Sequence, residues 1–149
     1  MEFWQAISHT ESDQILDVAR AAEEFGFSAV STGDHFVTPR RIASPYPYTK
    51  DQVPWVQPEA STPDPMVLAA AIAQVTERLR LFVTCYVLPM RDPFSAAKAI
   101  SSAAVLSRNR VVLGVGVGWM REEFELVRQD FATRGRRCDE LLEILQKLC

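Results

Sequence analysis

Concentrated positive charge is missing from this chain. Lys and Arg never stand more than two in a row, and 16 of them against 19 Asp and Glu leave a net charge of −3. A surface that grips nucleic acid or an anionic membrane needs a basic stripe, so neither partner is expected. Long apolar runs are missing too, and no window approaches the roughly 20 residues that carry a helix across a bilayer. Cysteine is sparse: Cys85, Cys138 and Cys149 form no C-x-x-C pair. An odd, scattered set of this kind fits a reducing compartment better than a disulfide framework. The opening Met1-Glu2-Phe3-Trp4-Gln5 lacks the basic start and apolar stretch of a secretory signal, so a cytoplasmic location is expected. There are only two histidines, His9 and His35, and no H-x-x-x-H spacing. A metal centre therefore has little to build on, and no Ser-His-Asp or Cys-His set is discernible.

What is present is an alternation. The 149 residues, 48% hydrophobic and 23% charged, suit one globular domain over 1–149. Phe3–Ser8 reads as a strand. Thr10 and Ser12 then offer caps to a helix carrying Ile15, Leu16, Ala19, Ala22 and Phe25 at helical spacing, and Gly26 stands where a glycine ends such a helix. Phe27–Thr32 is a second strand, closing at Gly33-Asp34-His35. Asp64-Pro65 and Asp92-Pro93 each open a helix, Asp capping amide groups and Pro at the first position losing no bond. Between these helices Leu79–Leu88 has the nearly unbroken apolar character of a strand buried on both faces. Arg110–Gly118 is a fourth strand, followed by helices over Arg121–Val127 and Arg136–Leu148 with a bend near Thr133-Arg134-Gly135. Four strand–helix units in succession predict an α/β fold with parallel strands and right-handed crossovers. A doubly wound open sheet and part of an eight-fold barrel both satisfy that order.

Residues 36–63 interrupt it. Pro39, Pro45, Pro47, Pro54, Pro58 and Pro63 forbid regular structure there, and Tyr46, Tyr48 and Trp55 give the loop apolar surface to lay over something, whether a ligand or its own barrel.

Both histidines fall at carboxyl ends of strands, His9 after the first and His35 after the second, the face where parallel α/β folds bind ligands. Histidine there is suited to proton transfer near neutral pH, or else to capping a turn. Asp34 and His35 are adjacent and point to opposite faces, so joint chelation is not expected. Gly114, Gly116 and Gly118 alternate on a strand, which sets them on one face where a planar ring or a neighbouring backbone can approach. This is not the dinucleotide pattern G-x-G-x-x-G. Trp119 at the strand end can wall an apolar pocket, Glu122 and Glu123 read as first-turn residues serving the helix dipole, and Cys85 lies mid-strand.

Taken jointly these segments resemble a known family. The run Leu113-Gly114-Val115-Gly116-Val117-Gly118-Trp119-Met120-Arg121-Glu122-Glu123-Phe124 is similar to the fourth-strand signature of the luciferase-like monooxygenases. Arg134–Glu140 resembles the continuation into the next helix, and Ala21, Glu23, Gly26, Phe27, Val30 and Gly33-Asp34-His35 the family's first helix and second strand. The resemblance implies the amino-terminal half of a parallel (β/α)8 barrel, with coenzyme F420 (a deazaflavin) or FMN at the carboxyl face. It is strongest to the deazaflavin-dependent branch. It implies that His35 lies by the ring system as the catalytic residue, that a backbone kink at Tyr86-Val87 passes beneath the ring, and that Gly116, Gly118 and Trp119 adjoin the cofactor. His9, Tyr46 and Trp55 become pocket walls for a small organic substrate. Two functions follow: a hydride-transferring oxidoreductase, or a non-catalytic module, a truncated remnant that keeps the fold without turnover. Four parallel strands alone leave edges and an apolar face uncovered, so a homo-oligomer that completes the barrel by two-fold self-association is expected.

Overall fold

The computed structural model describes residues 1–54 and 59–149. Four strands, β1 (Trp4–Ala6), β2 (Ala29–Thr32), β3 (Arg80–Val87) and β4 (Val111–Gly116), alternate with α1 (Ile15–Glu24), α2 (Pro65–Val75) and α3 (Pro93–Leu106). After β4 come α4 (Arg121–Leu126) and α5 (Arg134–Leu148). The strands form one sheet in the order β1-β2-β3-β4, every pair parallel, with Val30 opposite Leu81 and Leu81 opposite Val111. That order decides between the two architectures. A doubly wound sheet reverses direction and places helices on both faces, whereas an unreversed sequence of right-handed crossovers puts every helix on the same side. The chain is the first half of a parallel β/α barrel.

One apolar core lies between sheet and helices. Alternate strand residues Val30, Leu81 and Val83 meet Ala19, Leu68, Ile72, Ala97, Leu141 and Leu145 there. The opposite face carries Trp4, Phe82 and Thr84. Trp4 is 46% exposed, with its ring 4.5 Å from that of Phe82. No element among the described residues covers this face, which in a whole barrel is the interior.

Local chemistry accounts for most element ends. Asp64 accepts from Met66 N (2.8 Å) and Val67 N (3.2 Å), and Asp92 from Ser95 N (2.8 Å), each just before a proline. Gly26 ends α1 at φ +82°, with Phe27 N donating back to Ala22 O at 2.9 Å, the left-handed stop that glycine adopts without strain. The start of α1 differs from expectation. Turns occupy the residues before it, the helix opens behind Gln14 without a side-chain cap, and the Ser12 hydroxyl instead bonds that of Ser61 at 2.6 Å. The later bend is also displaced: a 3-10 turn over Phe131–Thr133 makes it, and Gly135 lies inside α5. At the amino end of the strands, Glu23 accepts the N–H groups of Glu77, Arg78 and Leu79. Burial pulls the Glu23 carboxyl upward, these bonds outweigh it, and its pKa falls.

The β3–β4 pairing slips by one residue between Thr84 and Tyr86, where the Thr84–Cys85 peptide is cis. The irregularity lies immediately before the Tyr86-Val87 pair. It also sets what the glycines of β4 face. A β-carbon on Gly114 would stand 2.8 Å from the Val83 carbonyl oxygen, and one on Gly116 would fall on the Cys85 sulfur. Gly116→Ala is therefore expected to cost about 1–3 kcal/mol by overpacking, measured by chemical denaturation. Cys85→Ala in the same chain should recover most of that loss. Gly114→Ala presses on backbone instead, so the same second substitution should recover nothing there; equal recovery at both sites would contradict the packing described.

Candidate active site

The carboxyl ends of the strands are stitched together by side chains from β2 and its neighbours. Ser8 Oγ, beyond β1, accepts from Gly33 N at 3.1 Å. Asp34 is buried and turns toward β3. Its Oδ2 accepts from Val87 N at 2.9 Å and its Oδ1 from Arg91 Nη2 at 2.6 Å. The Arg91 guanidinium lies over both the Phe36 ring (4.4 Å) and the Tyr86 ring (4.0 Å), so this ion pair is held by stacking as well as by charge.

His35 takes a different partner. Its Nδ1 is 2.9 Å from Glu123 Oε2, while Glu123 Oε1 accepts from Phe36 N (2.7 Å) and Val37 N (3.3 Å). Glu123 is only 3% exposed. A carboxylate accepts and cannot donate, so the proton in this bond sits on Nδ1 and Nε2 is turned away from Glu123. The hydrogen bond His35 donates to Glu123 raises the His35 pKa above its ordinary 6.5, burial opposes it, and the negative charges of Glu123 and Asp34 add to the rise. The divergence of Asp34 and His35 agrees with their adjacency at a strand end.

The neighbouring carboxylate holds the loop further along. Glu122 Oε1 accepts from Ala43 N (2.6 Å) and Ser44 N (2.9 Å), and Oε2 from Ser44 Oγ (2.7 Å). Desolvation pushes the Glu122 pKa up, but the Ser44 hydroxyl and the backbone N–H groups prevail and lower it. These contacts correct the reading of Glu122 and Glu123 as mere helix-dipole residues. α4 has six residues and little dipole to serve, whereas the proline-rich loop has backbone donors that need acceptors. Two consecutive carboxylates facing a long loop were the only sequence signal of this role.

Aromatic rings complete the cluster. Trp119 meets His35 edge-on at 6.4 Å between centroids and Tyr46 at 5.0 Å, and Tyr46 meets Tyr48 at 5.3 Å. The fold thus brings His35, Trp119 and Tyr46 together. His9 sits in the exposed turn after β1, at the same end of the sheet, and Trp55 lies outside the described residues. The Tyr86 and Val87 side chains are buried, Tyr86 in the main core and Val87 against Phe124 and Met90, so only their backbone is available to the open face. Burial pushes the Tyr86 phenol up to about 12. Gly116 ends β4, whereas Gly118 lies beyond it at φ +78°, with Val87 and Phe124 where a side chain would go. Both glycines are thus required by the chain's own packing. Among the described residues no group of three His, Cys, Asp or Glu is placed to hold a metal ion, and no helix is long and apolar enough to cross a membrane. A crevice lined by Gln74, Glu77, Arg108 and Arg110 opens at the amino end of the strands, opposite His35.

Residues 2–149 match the family model of the luciferase-like monooxygenases. The chain belongs to the luciferase-like monooxygenase family. It is 38% identical over 148 residues to an uncharacterised Mycobacterium tuberculosis protein, covering 99% of this chain and 51% of that one. To the F420-dependent glucose-6-phosphate dehydrogenase of Nocardia farcinica it is 27% identical over 140 residues, 91% of this chain and 37% of the enzyme. The luciferase-like chain thus spans about half the length, or less, of these relatives. Among solved structures it shares its fold with monooxygenase RslO1 from Streptomyces bottropensis (TM-score 0.78, 22% identity, 99% of this chain and 42% of that one). It does so too with the FMN-bound oxygenating constituent of 3,6-diketocamphane monooxygenase from Pseudomonas putida (TM-score 0.76, 18% identity, 99% and 39%).

The His35–Glu123 bond has a signed consequence for stability. A histidine whose folded pKa is raised contributes stability that is fully present below its unfolded value, near 6.5, and lost as pH rises through the folded value. In urea denaturation at pH values on either side of this window, the stability gap between wild type and His35→Gln should shrink as pH increases. A gap that stays flat or widens would contradict the pairing.

Proposed function

We propose that this luciferase-like chain carries the catalytic face of an oxidoreductase that passes a hydride between coenzyme F420, or alternatively FMN, and a small organic substrate. The observation that carries the reading is His35, half-buried and held to Glu123 through Nδ1, beside an aromatic wall in which Trp119 meets both His35 and Tyr46. Such a site, apolar with one convergent polar group, suits a flat heteroaromatic ring. The residues present fit the group. His35 and Trp119 would flank it, and the backbone at Tyr86-Val87 and at Gly116 and Gly118 would lie alongside. His9, Tyr46 and Trp55 would wall the substrate. When bound, the cofactor supplies hydride chemistry, and the protein supplies position, dryness and a proton at His35. F420 is the first choice on the likeness to an F420-dependent dehydrogenase; FMN is the alternative on the shared fold with an FMN-bound monooxygenase.

The uncovered inner face favours a second element of the reading. A copy of the chain related by a two-fold axis restores eight strands and covers Trp4 and Phe82. Should that face prove indifferent to cofactor, the non-catalytic module is the better reading. The cytoplasm is the proposed location, on the free thiols of Cys85, Cys138 and Cys149, which a reducing compartment preserves.

Titration of the protein with F420 and with FMN, followed by absorbance, is expected to show binding at micromolar concentration to one of them. His35→Ala should weaken that binding, since the imidazole flanks the ring, and slow turnover at saturating cofactor about 100-fold, the usual scale for losing one acid–base group. Binding of neither cofactor would overturn the enzyme reading, and undiminished turnover would remove His35 from it. By light scattering the chain should be a dimer; a monodisperse monomer with a cooperative melt would contradict self-association.

A further inference from the structure

We propose that Glu123 is the positioning residue of this site: its carboxylate fixes His35 as the Nδ1–H tautomer, so that Nε2 is the nitrogen offered to the reaction, and holds the start of the loop in the same grip. The inference rests on the oxidoreductase reading for its catalytic meaning, though not for its geometry.

Three donors converge on one buried carboxylate: His35 Nδ1 at 2.9 Å, Phe36 N at 2.7 Å and Val37 N at 3.3 Å. Two are backbone N–H groups whose protons cannot leave, and they occupy Oε1. Oε2 is left for the imidazole, so the ring has one favourable way to bond it, proton on Nδ1. No hydrogen bond to Nε2 is present among the described residues, and the ring edge of Trp119 stands beside the imidazole. The charged groups around His35 are Glu123 from α4, Asp34 before it in the chain, and Arg91, whose charge is spent on Asp34 at 2.6 Å. Asp34 and Arg91 largely offset one another, so the Glu123 carboxylate is the charge that most favours the doubly protonated ring. In that state Nε2–H is the proton donor that Glu123 does not hold; after transfer Nε2 is a bare acceptor while Nδ1–H stays with Glu123. The imidazole therefore cycles its proton at one atom only. Because Phe36 and Val37 share the carboxylate, and Glu122 grips Ala43 and Ser44 in the same turn of α4, the loop beside the site is anchored to the helix that orients the histidine.

Glu123→Gln separates these duties. A glutamine oxygen still accepts from Phe36 and Val37, but its amide donates to Nδ1 and should turn the neutral ring to the Nε2–H form. In protein labelled with 15N-histidine, with His9→Gln assigning the His35 signals, long-range 1H–15N spectra above the titration midpoint should show wild-type His35 protonated on Nδ1. In Glu123→Gln the two nitrogens should exchange shifts, and the midpoint should fall. The limb of the turnover profile on which activity falls as pH rises should move to lower pH by the same interval. Wild-type His35 found as the Nε2–H tautomer overturns the proposal without reference to any variant, as does a Glu123→Gln protein with unchanged tautomer and midpoint. The spectra need no cofactor. The expected tautomer in a protein that binds neither F420 nor FMN leaves the positioning intact and defeats the enzyme reading, whereas turnover with the wrong tautomer does the reverse.

Discussion

A buried carboxylate, Glu123, is the constraint around which the carboxyl end of this sheet is arranged. Removing Glu123 from solvent costs several kcal/mol unless donors replace the water it loses. The sequence supplies them from the stretch that follows β2, two strands away from β4 and the helix α4 behind it that carries the glutamate. The bonds to His35, Phe36 and Val37 therefore bridge over the end of β3, and one interaction sets three things together: the angle of the imidazole, the path by which the proline-rich loop departs, and the approach of Trp119 to His35. Asp34 makes the complementary link to β3 through Val87 N and Arg91. Adjacent residues with opposite directions at a strand end thus tie β2 to both strands that follow it.

The two ends of the sheet are divided in purpose. At the amino end, Glu23 caps the turn into β3 and Arg110 bonds the carbonyls of Ala73, Leu79 and Ser107; these contacts close helix ends and offer no group for chemistry. At the carboxyl end the titratable residues, the aromatic rings and the long loop gather. Parallel sheets favour this division, because each loop that leaves a strand opens onto the same face. Between the ends, the bare inner face of β1–β4 is what the architecture leaves to be filled, and in a family of β/α barrels it is the side on which the remaining strands close.

Much of this was legible in the residues. The Asp-Pro pairs at 64–65 and 92–93, Gly26 behind α1 and the apolar run of β3 each work by local backbone chemistry, which a sequence displays directly. Pattern alone left barrel and open sheet undecided, since strand order is a tertiary property; the family signature around Gly114–Phe124 pointed to the barrel. Less visible were contacts made across the chain. Glu122 and Glu123 resemble any acidic first turn until the loop folds back onto them. The glycines of β4 and of the turn after it suggest room for a ligand, yet Gly114 meets the Val83 carbonyl, Gly116 meets Cys85 and Gly118 meets Val87 and Phe124, so their small size is already required by neighbours within the chain. The start of α1 was misplaced because Thr10 and Ser12 have capping chemistry, while Ser12 is engaged by Ser61, a partner 49 residues away.

The central claim is that the carboxyl end of this half barrel, around His35, receives a flavin-like ring. An experimental structure of the protein grown with F420, and in parallel with FMN, tests it most directly. The account predicts a planar ring at the carboxyl ends of β2–β4, in contact with the His35 imidazole and Trp119, with the His35–Glu123 bond kept. A ring seated at the amino end of the strands, or bound with His35 and Trp119 untouched, would contradict it.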